Sequence, residues 1–190
     1  MTDSGLLKQA EFMSGTQGEP PCGVLIRPAV SDDAERVRRF LTGLSLHTQT
    51  LRFFAGVSRP AASLVCALIE VNETRDALVA VLEGEIVGHA MSYRGGQTDV
   101  EIAVVVADQW QGFGLGPALI DTLLARATVR GASTVGMDVL GDNRKVLGMI
   151  RRIWPGAQMK VSAGSVEVTA MIREAQIFAE QGSGGSPLTV

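Results

Sequence analysis

The sequence lacks the features that mark secreted, membrane-spanning and nucleic-acid-binding proteins. It has two cysteines, Cys22 and Cys66, which are too few for a disulfide framework and are not spaced as metal ligands. No apolar run is long enough to cross a bilayer, and the first residues hold no signal-peptide core. Positive charge is scarce, because 17 Lys and Arg face 20 Asp and Glu, for a net charge of −3. These absences predict a cytoplasmic protein with no membrane or nucleic-acid partner.

Histidine and tyrosine are also rare. The two histidines, His47 and His89, stand apart from each other and belong to no ligand motif, so we expect no bound metal. What the sequence does have is apolar content, with 46% hydrophobic and 19% charged residues. That balance is typical of a folded chain, and 190 residues correspond to about one domain.

The two ends differ in composition from the middle. Residues 1–20 are polar and Gly-rich, and residues 176–190 are rich in Gly and Ser, which is typical of flexible segments. We therefore predict an N-terminal arm over 1–20, one domain over 21–175 and a C-terminal tail over 176–190.

Within that domain, helical and strand patterns are mixed. Two helices, with Ser31 as the predicted N-cap of the first and Ala61 near the start of the second, flank a connector at 45–56. Three apolar runs separated by short glycine-containing turns then indicate antiparallel hairpins. The later elements are a helix at 117–130, a strand at 133–140, a helix at 143–152, and strands at 157–161 and 165–172. This order predicts an α/β (α+β) fold with a mixed, mostly antiparallel sheet flanked by helices.

The segment QGFGLG, residues 111–116, places a glycine at every second position before a helix. Three interpretations are open: a tight turn without a ligand, a degenerate dinucleotide fingerprint, or a cradle for a pyrophosphate. The dinucleotide fingerprint needs a third glycine where Pro117 stands, and it needs parallel strands rather than hairpins. A glycine turn that leads into a helix N-terminus can instead bind phosphate through its N–H groups, with Pro117 as the first helical residue.

Gln111, Gly114 and Gly116 match the signature Q/R-x-x-G-x-G/A, and over about residues 23 to 173 the chain resembles the GNAT acetyltransferase superfamily. The resemblance implies the GNAT fold, with acetyl-CoA as co-substrate. It implies that the glycine segment binds the pyrophosphate, that backbone near the end of the preceding strand meets the thioester, and that an asparagine faces the cofactor. The cofactor-binding residues implied in this way are Val104, Val105, Val106, Gln111, Gly112, Phe113, Gly114, Leu115, Gly116 and Asn143.

A narrower resemblance lies before the strands. The segment LSLHTQTLRFF, residues 44–54, is similar to the L-S-x-x-(S/T)-x-x-x-R-F-F segment of bacterial protein-lysine acetyltransferases of this superfamily. The sequence departs from the superfamily at another point. Its members often use a tyrosine on the last helix as general acid, but the predicted helix NRKVLGMIRRIW has none, and the single tyrosine, Tyr93, lies on a predicted strand.

Glu101 is the candidate general base. Alternation along VEIAVVVA places Val100, Ile102, Val104 and Val106 on one face of the strand and Glu101 on the other, among small apolar residues. A carboxylate that is partly removed from water suits a base that takes a proton from an ammonium group. The resemblance agrees, since bacterial lysine acetyltransferases place a glutamate on this strand.

The sequence therefore predicts an acetyl-CoA-dependent N-acetyltransferase, acting on a primary amine and most of all on a protein lysine. Two alternatives stay open. One is an enzyme for small-molecule amines, and the other is a non-catalytic CoA-binding regulatory module. The sequence also leaves open whether the protein is a monomer or a homodimer.

Overall fold

The computed structural model describes residues 21–172, so the predicted arm and tail lie outside the described residues. The helices are α1 (Ala34–Gly43), α2 (Leu46–Phe53), α3 (Ala62–Ile69), α4 (Leu115–Val129) and α5 (Arg144–Ile153). The strands are β1 (Leu25–Pro28), β2 (Arg75–Leu82), β3 (Glu85–Tyr93), β4 (Val100–Val106), β5 (Thr134–Leu140), β6 (Gln158–Ser162) and β7 (Ser165–Met171). None of the helices in residues 21–172 combines the length and the apolar character needed to cross a membrane.

The strands form one seven-stranded sheet in the order β1-β2-β3-β4-β5-β7-β6. β1 pairs antiparallel with β2, and β7 pairs antiparallel with both β5 and β6. β4 and β5 run parallel, with Val100 opposite Val135 and Glu101 opposite Gly136. The predicted mixed, mostly antiparallel sheet flanked by helices is therefore confirmed.

The chain divides into two compact units, which we describe separately. The described part of the first comprises residues 21–92 and Ala103–Leu123, and that of the second comprises Tyr93–Ile102 and residues 124–172. In the first unit, Val37 and Leu41 of α1 and Val65 of α3 pack in one core cluster with strand residues such as Val79. Burial of each such side chain stabilises the fold by about 1.5–3 kcal/mol. In the second unit, β7 alternates buried and exposed residues, as expected for a strand with one solvent face.

The prediction of a connector at 45–56 is wrong, because most of this segment forms the helix α2. Ser45 begins this helix, and its Oγ accepts a hydrogen bond from the Thr48 N–H at 3.2 Å. Phe54 ends it in the left-handed conformation, with φ of 60°. The segment has too few apolar residues at helical spacing to reveal a helix by periodicity.

The predicted Ser31 cap of α1 is also wrong. A 3-10 turn occupies Ser31–Asp33, and α1 begins at Ala34. Asp33 is buried, accepts a hydrogen bond from the Val30 N–H at 2.9 Å, and forms ion pairs of 2.6 Å with both Arg27 and Arg36. The hydrogen bond from Arg27 is the main cause that holds the pKa of Asp33 below its usual range. Paired in this way, the buried carboxylate is compensated.

Helix α4 begins at Leu115, two residues before the predicted start, so Pro117 is its third residue. The Ala118 N–H donates to the Gly114 carbonyl at 3.1 Å. A proline fits at position 117 because N–H groups of the first turn have no intrahelical acceptor. At the other end a glycine follows the helix, since Gly131 has φ of 85° and donates its N–H to the Thr128 carbonyl at 2.8 Å.

Candidate functional site

The glycine segment of the first unit has the geometry of an anion cradle. Gly112 and Gly114 have φ of 91° and 76°, a conformation that glycine adopts without strain. The segment leads directly into α4, where the N–H groups of Leu115 and Gly116 belong to the first helical turn and carry the positive end of the helix dipole. A Cβ added to Gly112 or Gly116 would meet no atom within 4 Å, so there is open space beside both. The segment therefore combines features of anion-binding turns at helix N-termini.

Gln111 anchors this segment to the protein through its side chain. Its Nε2 donates to the Val106 carbonyl at 3.1 Å and to Thr48 Oγ1 at 3.3 Å. The amide nitrogen is thus engaged by the end of β4 and by α2. The signature glutamine consequently holds the cradle in place through its side-chain nitrogen.

Asp108 is a second anchor, which the sequence analysis missed. Its carboxylate accepts hydrogen bonds from Ser45 Oγ at 2.6 Å, from Thr48 Oγ1 at 2.7 Å and from the Ser45 N–H at 2.9 Å. Desolvation raises the pKa of Asp108, but these bonds together outweigh it and lower the pKa. The partners lie 60 and 63 residues away in sequence, so no local pattern could have revealed the contact.

The segment 44–54 is ordered around the same anchor. Leu44 is buried, Ser45 caps α2, and the Arg52 guanidinium lies over the Phe53 ring at 4.7 Å from its centroid. Desolvation lowers the pKa of Arg52 to about 10. Phe54 is 48% exposed and ends the helix, so its ring is available at the surface of the first unit.

The strand β4 follows the predicted alternation only in its first half. Val100 and Ile102 are buried and Glu101 is half-buried, as predicted. Val105 and Val106 are then buried in succession while Val104 is half-buried. Burial therefore stops alternating after Ala103, although the predicted alternation runs to the end of the strand.

Two hydrophobic members of the predicted cradle differ in burial. The Leu115 side chain is 1% exposed and belongs to the core, so this residue can offer a ligand only its backbone. Phe113 is half-buried and meets Trp110 edge-on, with ring centroids 6.5 Å apart.

Glu101 lies in the second unit, half-buried and opposite Gly136 of β5. Within residues 21–172 its carboxylate takes part in no hydrogen bond or ion pair. Glycines flank it: an added Cβ on Gly96 would overlap its carboxyl group, and one on Gly136 would lie 3.4 Å from its Cγ. The carboxylate thus has glycine backbone beside it and retains its hydrogen-bonding capacity.

Asn143, also in the second unit, is the N-cap of α5, and its Oδ1 accepts a hydrogen bond from the Val146 N–H at 3.2 Å. The structure therefore gives this side chain a capping function, and its predicted approach to the cofactor stays a prediction. The other predicted cofactor-binding residues, from Val104 to Gly116, all lie in the first unit.

Histidine supplies no candidate metal site. His89 is buried, with Nε2 at 2.7 Å from the Leu68 carbonyl, and desolvation lowers its pKa to about 4. It is therefore a neutral core residue at physiological pH. Across residues 21–172, His, Cys, Asp and Glu side chains form no group of three or more that could hold a metal ion.

Comparison with known proteins agrees with this geometry. The model of the Acetyltransferase (GNAT) family matches residues 46–153. The chain is 29% identical over 153 residues to "Acetyltransferase Pat" of Mycolicibacterium smegmatis, covering 75% of this chain and 45% of the relative. It is 35% identical over 109 residues to "Acetyltransferase PA5475" of Pseudomonas aeruginosa, covering 53% and 58%. The crystal structure of the GNAT domain of S. lividans PAT superposes with a TM-score of 0.70 at 28% identity, covering 77% of this chain and 89% of that one.

The chain spans about half the length of the curated relatives it matches. The family model, by contrast, covers more than half of this chain and includes the whole cradle, β4 from its first residue, and α5. The chain belongs to the GNAT acetyltransferase family.

Proposed function

We propose that the protein is an acetyl-CoA-dependent N-acetyltransferase that transfers an acetyl group to a primary amine, a protein lysine above all. The observation that carries the proposal is the segment 111–116, which has left-handed glycines, an open flank and a helix N-terminus at its end. Such a segment binds the pyrophosphate of acetyl-CoA through backbone N–H groups. Family membership supports the same co-substrate.

In this proposal the chain contributes positioning and one general base. Glu101 takes a proton from the acceptor ammonium, directly or through a water molecule. The neutral amine nitrogen then forms a bond to the thioester carbonyl carbon, the carbon–sulfur bond breaks, and CoA leaves as the thiolate. Support for Glu101 comes from its half-buried carboxylate, which holds no structural partner within residues 21–172.

The remaining predicted residues act by binding. The backbone of Val104, Val105 and Val106 meets the thioester arm, and Asn143 meets the cofactor with the part of its side chain that does not cap α5. Holding the reactants in the attack geometry supplies a large share of the rate enhancement. In the described part of α5, Arg144–Ile153, there is no tyrosine, so we assign no protein acid to the departing thiolate.

A lysine acceptor is supported by the segment 44–54, which is similar to that of bacterial lysine acetyltransferases. A cytoplasmic location and the choice between monomer and homodimer belong to the same proposal. A small-molecule amine is the alternative acceptor. The missing tyrosine favours one further candidate, a CoA-binding module without transfer activity.

The decisive experiment compares the wild type with Glu101→Gln, which removes the base but keeps the shape of the side chain. We expect the rate of CoA release with acetyl-CoA and lysine-containing proteins to fall by roughly 100-fold or more. The affinity for CoA, measured by calorimetry, should stay unchanged. Glu73→Gln, at an exposed position, is the matched control and should keep full activity.

The outcomes separate the candidates. Faster turnover of free amines than of proteins would favour the small-molecule enzyme. CoA binding by the wild type, with no transfer to a broad panel of proteins and amines, would favour the binding module. Full activity of Glu101→Gln would overturn the assignment of the base.

A further inference from the structure

The turn between β3 and β4 contains two adjacent glycines with different reasons to be glycine. Gly95 has φ of 132°, a conformation that other residues rarely adopt. Gly96 does not have a positive φ, so its conformation does not require glycine. The atoms around Gly96 do require glycine. A Cβ at this position would overlap Glu101 Oε1 and would lie 2.6 Å from Cδ and 3.0 Å from Cγ of the same side chain.

We propose that Gly96 is a positioning residue for Glu101, because the missing side chain at position 96 leaves the space in which the carboxyl group lies. The inference rests on the proposed role of Glu101 as general base. Gly136 of β5 flanks the same side chain, with the added-Cβ position 3.4 Å from Glu101 Cγ, an ordinary van der Waals separation. The space left at position 96 therefore limits where the Glu101 carboxyl group can lie, and no hydrogen bond holds that group within the described residues.

The energetic cost of a methyl group at position 96 should fall on Glu101 alone. The atoms in conflict are the far end of a flexible side chain, which can rotate about its own bonds, whereas a conflict with backbone would disturb the fold. An alanine at this position also lowers the entropy of the unfolded chain. Gly96→Ala should therefore fold normally and displace the carboxylate.

The experiment measures Gly96→Ala against Gly148→Ala, which lies inside α5 with no atom within 4 Å of the added Cβ. For Gly96→Ala we expect kcat to fall by roughly 10- to 100-fold, the scale associated with a displacement of about 1 Å at a reacting group. The Kd for CoA should match the wild type, and the thermal midpoint should be no lower than that of the wild type. The acidic limb of the kcat/KM–pH profile should move, because the displaced carboxylate has a different environment. Gly148→Ala should leave kcat, the pH profile and the Kd for CoA unchanged, and should raise the thermal midpoint because alanine replaces glycine inside a helix.

A double-mutant cycle tests whether the effect passes through Glu101. Aspartate at position 101 lacks the outer carbons and oxygens that the new methyl group would meet. In the wild-type background Glu101→Asp should lower kcat, and in the Gly96→Ala background the same change should cost at least threefold less. Simple additivity would mean that position 96 acts by another route.

The results distinguish this inference from the proposed function. If Glu101→Gln is inactive while Gly96→Ala has wild-type kcat and pH profile, the positioning role of Gly96 is overturned. The assignment of Glu101 as general base is then retained. If Glu101→Gln is fully active, the assignment of Glu101 as general base is itself wrong, whatever Gly96→Ala shows. Unfolding of Gly96→Ala would also contradict the proposal, since the displaced atoms belong to one flexible side chain.

Discussion

Two carboxylates, at the beginning of β4 and just beyond its end, are treated in opposite ways by their surroundings. Asp108 accepts three hydrogen bonds from Ser45 and Thr48 at 2.6–2.9 Å, which saturate much of its capacity. Glu101 is half-buried and, within residues 21–172, accepts none. The difference shows that a carboxylate that accepts several hydrogen bonds stabilises a fold, whereas a carboxylate without such partners remains available to take up a proton.

The largest effect expected from this comparison is on stability at Asp108. Asp108→Asn removes the negative charge that strengthens these three hydrogen bonds and leaves one acceptor oxygen in place of two. Because Asp108 is exposed, solvent weakens these bonds, and we expect the free energy of unfolding to fall by about 1 kcal/mol, measured by urea denaturation. Asp142→Asn, at an exposed position, is the control and should be neutral. Equal stability of the Asp108 variant and the wild type would show that the three bonds contribute nothing net.

The next expected effect is smaller and concerns how the stability of Asp108→Asn and of the wild type changes with pH. The pKa values of Asp33 and Asp108 are lower in the folded state than in the unfolded state. Their contribution to stability is therefore fully present above the unfolded value of about 3.9, and it is lost as the pH falls through the lower folded values. Between pH 6 and pH 3, urea denaturation should show a smaller loss for Asp108→Asn than for the wild type. Parallel curves would contradict the pKa shift of Asp108.

The smallest expected effect is the stability of Glu101→Gln. Because no hydrogen bond or ion pair of Glu101 exists within the described residues, removing its charge should change the free energy of unfolding by less than about 0.5 kcal/mol. Urea denaturation beside Glu73→Gln measures it. A loss as large as that of Asp108→Asn would mean that Glu101 is a structural residue, and the contrast between the two carboxylates would disappear.

The strands and the turns between them could be predicted from the sequence because their signals are local. Alternating apolar residues and glycines such as Gly84, with φ of 83°, lie within a few positions of the structure that they specify. The helix α2 was missed because its segment is polar and its stabilising contact, from Asp108, comes from 60 residues away. The start of α4 was misplaced because proline is favoured at the first helical position but is tolerated throughout the first turn, and Pro117 is the third residue.

Part of the candidate site could also be predicted from local signals in the sequence. The glycines at 112 and 114 and the carboxylate at 101 follow from residue type and spacing, and the structure gives each a fitting conformation or environment. The end of the burial alternation in β4 and the space that Gly96 leaves for the Glu101 side chain depend on packing between segments. No periodicity in one sequence records such packing.

The bonds that join Asp108 to Ser45 and Thr48 also have a consequence for folding kinetics. They close a loop of about 60 residues, whose entropy must be lost before the contact can form. The glycine segment next to Asp108 should therefore reach its final shape only after the preceding helices have docked, late on the folding pathway. By linkage, a ligand bound at that segment would stabilise the whole first unit and slow its unfolding.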